Sequence, residues 1–201
     1  MILMGYVTSL FINKYNLAAA FRIQKINCNP SEILNRYKES EIKYIILKQF
    51  MGKSYITTKP GNHESLGLKI YVQCTSPLRR YLDLIIQRQV YNKIKNYELL
   101  SINSVSDIID YSKIRQKEIN NIYKSDKIKY LTLFFKNENK PFYKIIFVKW
   151  INHKRNIALV FFPDYSLEIL ITLFVSIEIY SNKIYKVKYN INDSNILEFI
   201  Y

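Results

Sequence analysis

Thr75-Ser76-Pro77-Leu78-Arg79-Arg80-Tyr81 is the stretch from which the rest of the chain can be read. Serine followed by proline is a helix-opening signature. Ser76 is placed to cap, and Pro77 suits the first helical position, where no N–H is needed. The pattern predicts a long amphipathic helix over residues 77–97, with Leu82, Ile85, Ile86, Val90, Ile94 and Tyr97 on its core side. Two cations in a first helical turn are electrostatically unfavourable. Arg79 and Arg80 therefore point to an external anion, a phosphate, held jointly by the turn's amides and the guanidinium forks. A structural alternative pairs them with Asp83, Glu64 or another carboxylate. Arg88 either joins this cluster or is solvated. His63 is either a substrate contact or a hydrogen-bonded structural histidine. Tyr71 and Tyr81 either stack on bases or pack.

Upstream, residues 1–26 read as a helix through Ile2, Leu3, Tyr6, Val7, Leu10, Phe11 and Ile12, continued by the helix-forming run Ala18-Ala19-Ala20. Asn27 to Pro30 is a break, and Ser31 is placed to cap a second helix carrying Ile33, Leu34, Tyr37, Ile42, Ile45 and Ile46. Thr57 to His63 reads as a loop with Pro60-Gly61-Asn62 as turn chemistry, and Leu66 to Cys74 as a strand. Downstream, Ser101 to Lys136 is helical, with Ile108, Ile109, Ile114, Ile119, Ile122, Tyr123 and Leu131 on one stripe. Past the polar hinge Asn137 to Pro141 the period changes. Phe142–Trp150, Ile157–Phe162, Leu167–Phe174, Ile184–Tyr189 and Ile196–Tyr201 are short β-branched and aromatic runs. Five such runs predict a small antiparallel barrel of the OB type. The expected fold class is α+β, with helices first (1–136) and the barrel last (141–201).

The 201 residues, 49% apolar and 15% aromatic, exclude disorder as the main state. Net charge is +14, distributed as +6 over residues 1–60, +6 over 61–140 and +2 over 141–201. That surplus suits a polyanionic partner. Yet Ile, Lys, Asn and Tyr number 32, 23, 19 and 18, all with A/T-rich codons, so part of the lysine excess reflects base bias of the kind usual in organelle genomes. Cys28 and Cys74 stand far from any CxxC spacing, and two histidines cannot build a multi-His centre, so no metal site is expected. Met1 to Leu10 lacks the basic flank of a secretory signal, and the apolar stretch Ile169–Ile177 is too short to span a bilayer. No membrane partner is expected.

His63-Glu64-Ser65-Leu66-Gly67-Leu68 followed by Tyr71-Val72-Gln73-Cys74-Thr75-Ser76-Pro77-Leu78-Arg79-Arg80-Tyr81-Leu82-Asp83-Leu84 resembles the signature near the end of the RNB catalytic domain of the ribonuclease II and ribonuclease R family. Ala20-Phe21-Arg22-Ile23-Gln24 is similar to the segment that precedes that signature. The residues from Lys117 to Leu131 and the β-rich end resemble the exit into a C-terminal OB-type RNA-binding barrel. Val72-Gln73 and Leu82-Asp83-Leu84 are most like cyanobacterial and plastid members, which implies a plastid location and otherwise a cytoplasmic one.

The resemblance implies a magnesium-dependent exoribonuclease that removes nucleotides from the 3′ end of single-stranded RNA as nucleoside monophosphates. Arg79 matches the family arginine that contacts the scissile phosphate, so it is the catalytic candidate. Ser76, Arg80, Arg88, Tyr81 and His63 are the RNA-binding candidates. Gln87 stands where many members have histidine. The family's metal is held by clustered aspartates in the earlier half of the domain. Here Asp83, Asp107, Asp110, Asp126, Asp164 and Asp193 form no such cluster. The chain is therefore expected to be the C-terminal portion of such an enzyme, inactive alone, with the missing N-terminal half as a partner. The alternatives are a catalytically inactive RNA-binding remnant and a decayed reading frame.

Overall fold

The computed structural model describes residues 1–36, 43–174, 184–190 and 198–200. They fall into two compact units, one of Met1–Asn29 with Phe50–Ile119 and one of Pro30–Gln49 with Asn120–Tyr201. Of the stretch expected as a hinge, Asn137 to Pro141, the first two residues still belong to the last helix. The units divide within that helix, between Ile119 and Asn120, and residues 30–49 fall with the barrel.

In the first unit α1 (Ile2–Lys14) is shorter than the helix expected over 1–26. Asn16 takes a left-handed φ of 50°. The Leu17 N–H donates to Ile12 O at 3.0 Å and the Asn16 N–H to Asn13 O at 3.2 Å. This paired closure satisfies the last carbonyls and stops the helix. Ala19 and Ala20 are then buried and non-helical, so core packing overrides their helix propensity. They lead into β1 (Phe21–Ile23), antiparallel to β2 (Tyr55–Thr57), with Arg22 opposite Ile56. The strand expected over 66–74 is instead an isolated bridge, Phe21 to Val72, after a 3-10 turn at Glu64–Leu66 that Gly67 closes at φ 66°.

The predicted 77–97 helix is α4 (Tyr81–Lys95). It ends as α1 does: Asn96 is left-handed, and the Tyr97 N–H donates to Asn92 O at 2.8 Å. Ile85 and Ile86 are buried as expected, whereas Ile94 and Tyr97 are exposed. Asp83, Gln89 and Asn92 take the remaining inward places. The core of this unit joins Ile12, Leu17, Phe21, Val72, Ile86 and Ile109.

α5 (Ile102–Glu138) is one helix of 37 residues, opened by Ser101 Oγ accepting from the Ser104 N–H at 3.1 Å. Of its expected stripe, Ile109 is buried, but Ile114, Ile119, Ile122 and Tyr123 are exposed.

In the second unit β3 (Tyr143–Asn152), β4 (Ile157–Phe162), β5 (Leu167–Phe174), β6 (Ile184–Asn190) and β7 (Glu198–Ile200) close a barrel in the order β3-β4-β5-β7-β6. The strands match the predicted runs. One pairing corrects the antiparallel expectation: β5 and β7 run parallel, Leu173 opposite Phe199. Phe135 from the last turns of α5 is fully buried among the barrel's rings, 5.0 Å from Tyr143 and 5.3 Å from Phe199 between centroids. α2 (Pro30–Arg36) and α3 (Lys43–Phe50) contribute Ile33, Ile45 and Ile46, which pack on Ile146, Val148 and Leu159. Tyr37, Ile42 and part of the run Ile196–Tyr201 lie outside the described residues.

Candidate functional site

The site forms where the bridge segment leaves β1 and turns into α4. Ser76 O accepts from the Arg80 N–H at 3.0 Å and from the Arg79 N–H at 3.3 Å, folding Pro77, Leu78 and Arg79 into a tight turn. Arg80 is extended, with φ −131° and ψ 106°, and α4 begins only after it. Pro77 is therefore in the turn and not at the first helical position, and Ser76 provides no side-chain cap. The amides of Arg79 and Arg80 are already engaged, so the expected cradle of free amides at Pro77 is absent from the turn.

The two arginines part company. Arg80 donates through Nε (3.0 Å) and Nη2 (2.7 Å) to Asp83 Oδ2, with Nη2 also 3.5 Å from Thr75 Oγ1. The same Asp83 oxygen accepts from the Ser76 N–H at 2.9 Å. Asp83 is 1% exposed, so its charge is compensated entirely by these partners. Arg80 is thereby engaged in a structural ion pair, with its side chain half-buried. Arg79 is exposed and has no ion pair or side-chain hydrogen bond among the described residues. Leu78, beside it at the tip, is fully exposed.

Tyr81, Leu84, Arg88 and Tyr91 recur at helical spacing and are all exposed, so α4 carries Tyr81 and Arg88 on one outward stripe. His63 is enclosed: its ring meets Tyr71 edge-on at 5.4 Å, and Nδ1 lies 3.2 Å from Ser65 Oγ. Burial, and then the Arg22 charge, holds its pKa below the ordinary 6.5. Its enclosure disfavours the charged form of the ring. Tyr71 is buried too, which leaves its face unavailable for base stacking.

Arg22, not singled out by the sequence, sits next to this cluster. It donates through Nε and Nη2 to Ser54 Oγ at 3.0 and 2.9 Å, and through Nη1 to Gln73 Oε1. Burial, followed by the Arg80 charge, lowers its pKa. The signal was its place in Phe21-Arg22-Ile23-Gln24, where an arginine interrupts inward-facing apolar residues.

Among the described residues no three His, Cys, Asp or Glu side chains gather to hold a metal ion. Asp83 is committed to Arg80 and Ser76, and Asp110 to Lys113 at 2.9 Å. Asp193 lies outside the described residues. The carboxylates among the described residues do not fit a magnesium centre.

Residues 6–96 match the RNB domain. This segment belongs to the RNB family. An uncharacterized ribonuclease of Synechocystis is 27% identical over 172 residues, covering 84% of this chain and 26% of the relative. Exoribonuclease 2 of Buchnera aphidicola from Cinara cedri is 35% identical over 139 residues, covering 60% and 21%. An exoribonuclease of Candida glabrata, solved as an active-site mutant, shares the fold with a TM-score of 0.78 at 18% identity, over 100% of this chain and 28% of its own. Ribonuclease R of Mycoplasma genitalium, solved with ribose-methylated single-stranded RNA, gives 0.73 at 15% identity, over 100% and 40%. The chain spans about a quarter or less of the length of the two curated relatives. No helix among the described residues is long and apolar enough to cross a membrane.

Proposed function

We propose that this chain is the C-terminal portion of a ribonuclease II-like exoribonuclease that digests single-stranded RNA from the 3′ end, and that Arg79 is its phosphate-contacting residue. The observation that carries the reading is the division between the two arginines: Arg80 is spent on Asp83, while Arg79 is held exposed on a closed turn with no side-chain partner among the described residues. A guanidinium so placed donates two parallel hydrogen bonds to phosphoryl oxygens and offsets the charge that develops on them. Tyr81 and Arg88 on the adjoining helix stripe extend the contact along the strand.

The carboxylates that hydrolysis requires would come from the rest of the catalytic domain. α1 offers that portion a surface: it buries Gly5, Thr8, Ser9 and Ile12 and leaves Ile2, Leu3, Met4 and Val7 more than half exposed. Four large apolar side chains left outside suit a helix with a second apolar neighbour. The alternative, a non-catalytic RNA-binding remnant, is favoured by the lack of a carboxylate cluster among the described residues. An organelle genome as source is a further proposal, supported by the abundance of Ile, Lys, Asn and Tyr.

The test is incubation of end-labelled single-stranded RNA and magnesium with the 201-residue chain, alone and with a polypeptide supplying the aspartate-bearing half. The enzyme reading predicts bound, uncut RNA with the chain alone. It predicts 3′ shortening to monophosphates with both, lost on Arg79→Ala. RNA that is bound but uncut under both conditions supports the remnant. Absence of binding contradicts both readings.

A further inference from the structure

We infer that Asp83 is a positioning residue for Arg79, an inference that rests on the phosphate-contact reading above. One oxygen, Asp83 Oδ2, receives the Ser76 N–H at 2.9 Å and the Arg80 Nε and Nη2 donors at 3.0 and 2.7 Å. Ser76 and Arg80 are the two residues that bracket Pro77-Leu78-Arg79. They are also joined to each other, Ser76 O accepting from the Arg80 N–H at 3.0 Å. The carboxylate therefore staples both ends of the turn, from a position in the first turn of α4.

Asp83 itself cannot touch a ligand, being 1% exposed, and Arg80 has its fork turned inward. The turn has little else to hold it. Leu78 projects fully into solvent, and Arg79 has no partner among the described residues. With the staple in place, only the Arg79 side-chain torsions remain to be fixed on binding, and the backbone order is established beforehand. A low-dielectric site strengthens the staple, because its three donors converge on one desolvated oxygen.

This role has a signature that electrostatics alone cannot produce. Asp83→Asn removes a buried negative charge from beneath Arg79 and Arg80, so a purely electrostatic Asp83 predicts tighter RNA binding. A positioning Asp83 predicts weaker binding. The experiment titrates fluorescein-labelled single-stranded oligouridylate with the full chain and with Arg79→Ala, Asp83→Asn and the double variant, at one fixed salt concentration. Far-UV circular dichroism melts confirm that each variant is folded.

The expected result is a loss of about tenfold in affinity for each single variant, with the double variant no weaker than the poorer single. Unchanged or tighter binding by folded Asp83→Asn, or additive losses in the double, overturns the inference while leaving Arg79 as a ligand. Unchanged binding by Arg79→Ala overturns the phosphate-contact reading itself. If Asp83→Asn does not fold, Arg80→Lys serves in its place. It keeps the net charge but loses the two-pronged grip on Oδ2. Loss of affinity that vanishes in the Arg79→Ala background supports the staple, and wild-type affinity refutes it.

Discussion

Gln89 and Leu100 are bonded to each other in both directions: Gln89 Oε1 accepts from the Leu100 N–H at 2.9 Å, and Gln89 Nε2 donates to Leu100 O at 3.1 Å. Nε2 also reaches Ala18 O at 2.9 Å. A fully buried amide thus ties α4 to the segment leaving α1 and to the segment entering α5. Gln89→Leu preserves volume but strands three backbone groups. It is expected to lower stability by about 3 kcal/mol or more, since each of the three unsatisfied buried groups costs roughly 1–3 kcal/mol. Urea unfolding of the two proteins checks this, and a difference below 1 kcal/mol would contradict it.

Gly5 is a contact position and not a flexible one. A Cβ there would fall on the Val72 carbonyl oxygen and 2.6 Å from Tyr71 Cε2. Alanine normally favours a helix interior over glycine by about 0.5–1 kcal/mol. Gly5→Ala should nevertheless destabilise, by roughly 1–3 kcal/mol, because overpacking against backbone outweighs propensity. A thermal melt gives the sign directly.

His63 sets a pH dependence. Its folded pKa lies below the ordinary 6.5, so on acidification the unfolded chain takes up this proton first. The contribution of His63 to stability is full above pH 6.5 and is lost as pH falls through the folded value. Stability should decline as pH falls below about 6.5, where ordinary carboxylates are still ionised. His63→Asn should flatten that decline. Equal slopes in both proteins, measured by denaturant titration, would remove His63 as its source.

Local chemistry explains what the sequence made legible. The five barrel runs are recognisable because β-branched and aromatic residues alternate with turn residues, so Ile157–Phe162 and Leu167–Phe174 coincide with their strands. The pattern around Ser76 marked the site but left two readings of Arg79 and Arg80 open, an external anion or a carboxylate partner, and Arg80 takes the second with Asp83. The parallel pairing of Leu173 with Phe199 was not legible, since strand partners far apart leave no local mark. Nor was the association of Ile46 with Ile146, which places α3 on the barrel. Pro77 misled as a helix start because Asp83, six residues on, binds the Ser76 amide and delays α4 to Tyr81. Ala18 to Ala20 misled because Asn16 had already closed the helix.

The central claim is that Arg79 neutralises an RNA phosphate, and the salt dependence of binding tests it most directly. Affinity of the full chain for single-stranded oligouridylate, measured over a series of salt concentrations, should fall linearly on logarithmic axes. Arg79→Ala should reduce that slope by about 0.7, the value of one phosphate contact on a single strand, and leave the melting temperature unchanged. An unaltered slope and affinity in a folded Arg79→Ala protein would contradict the account.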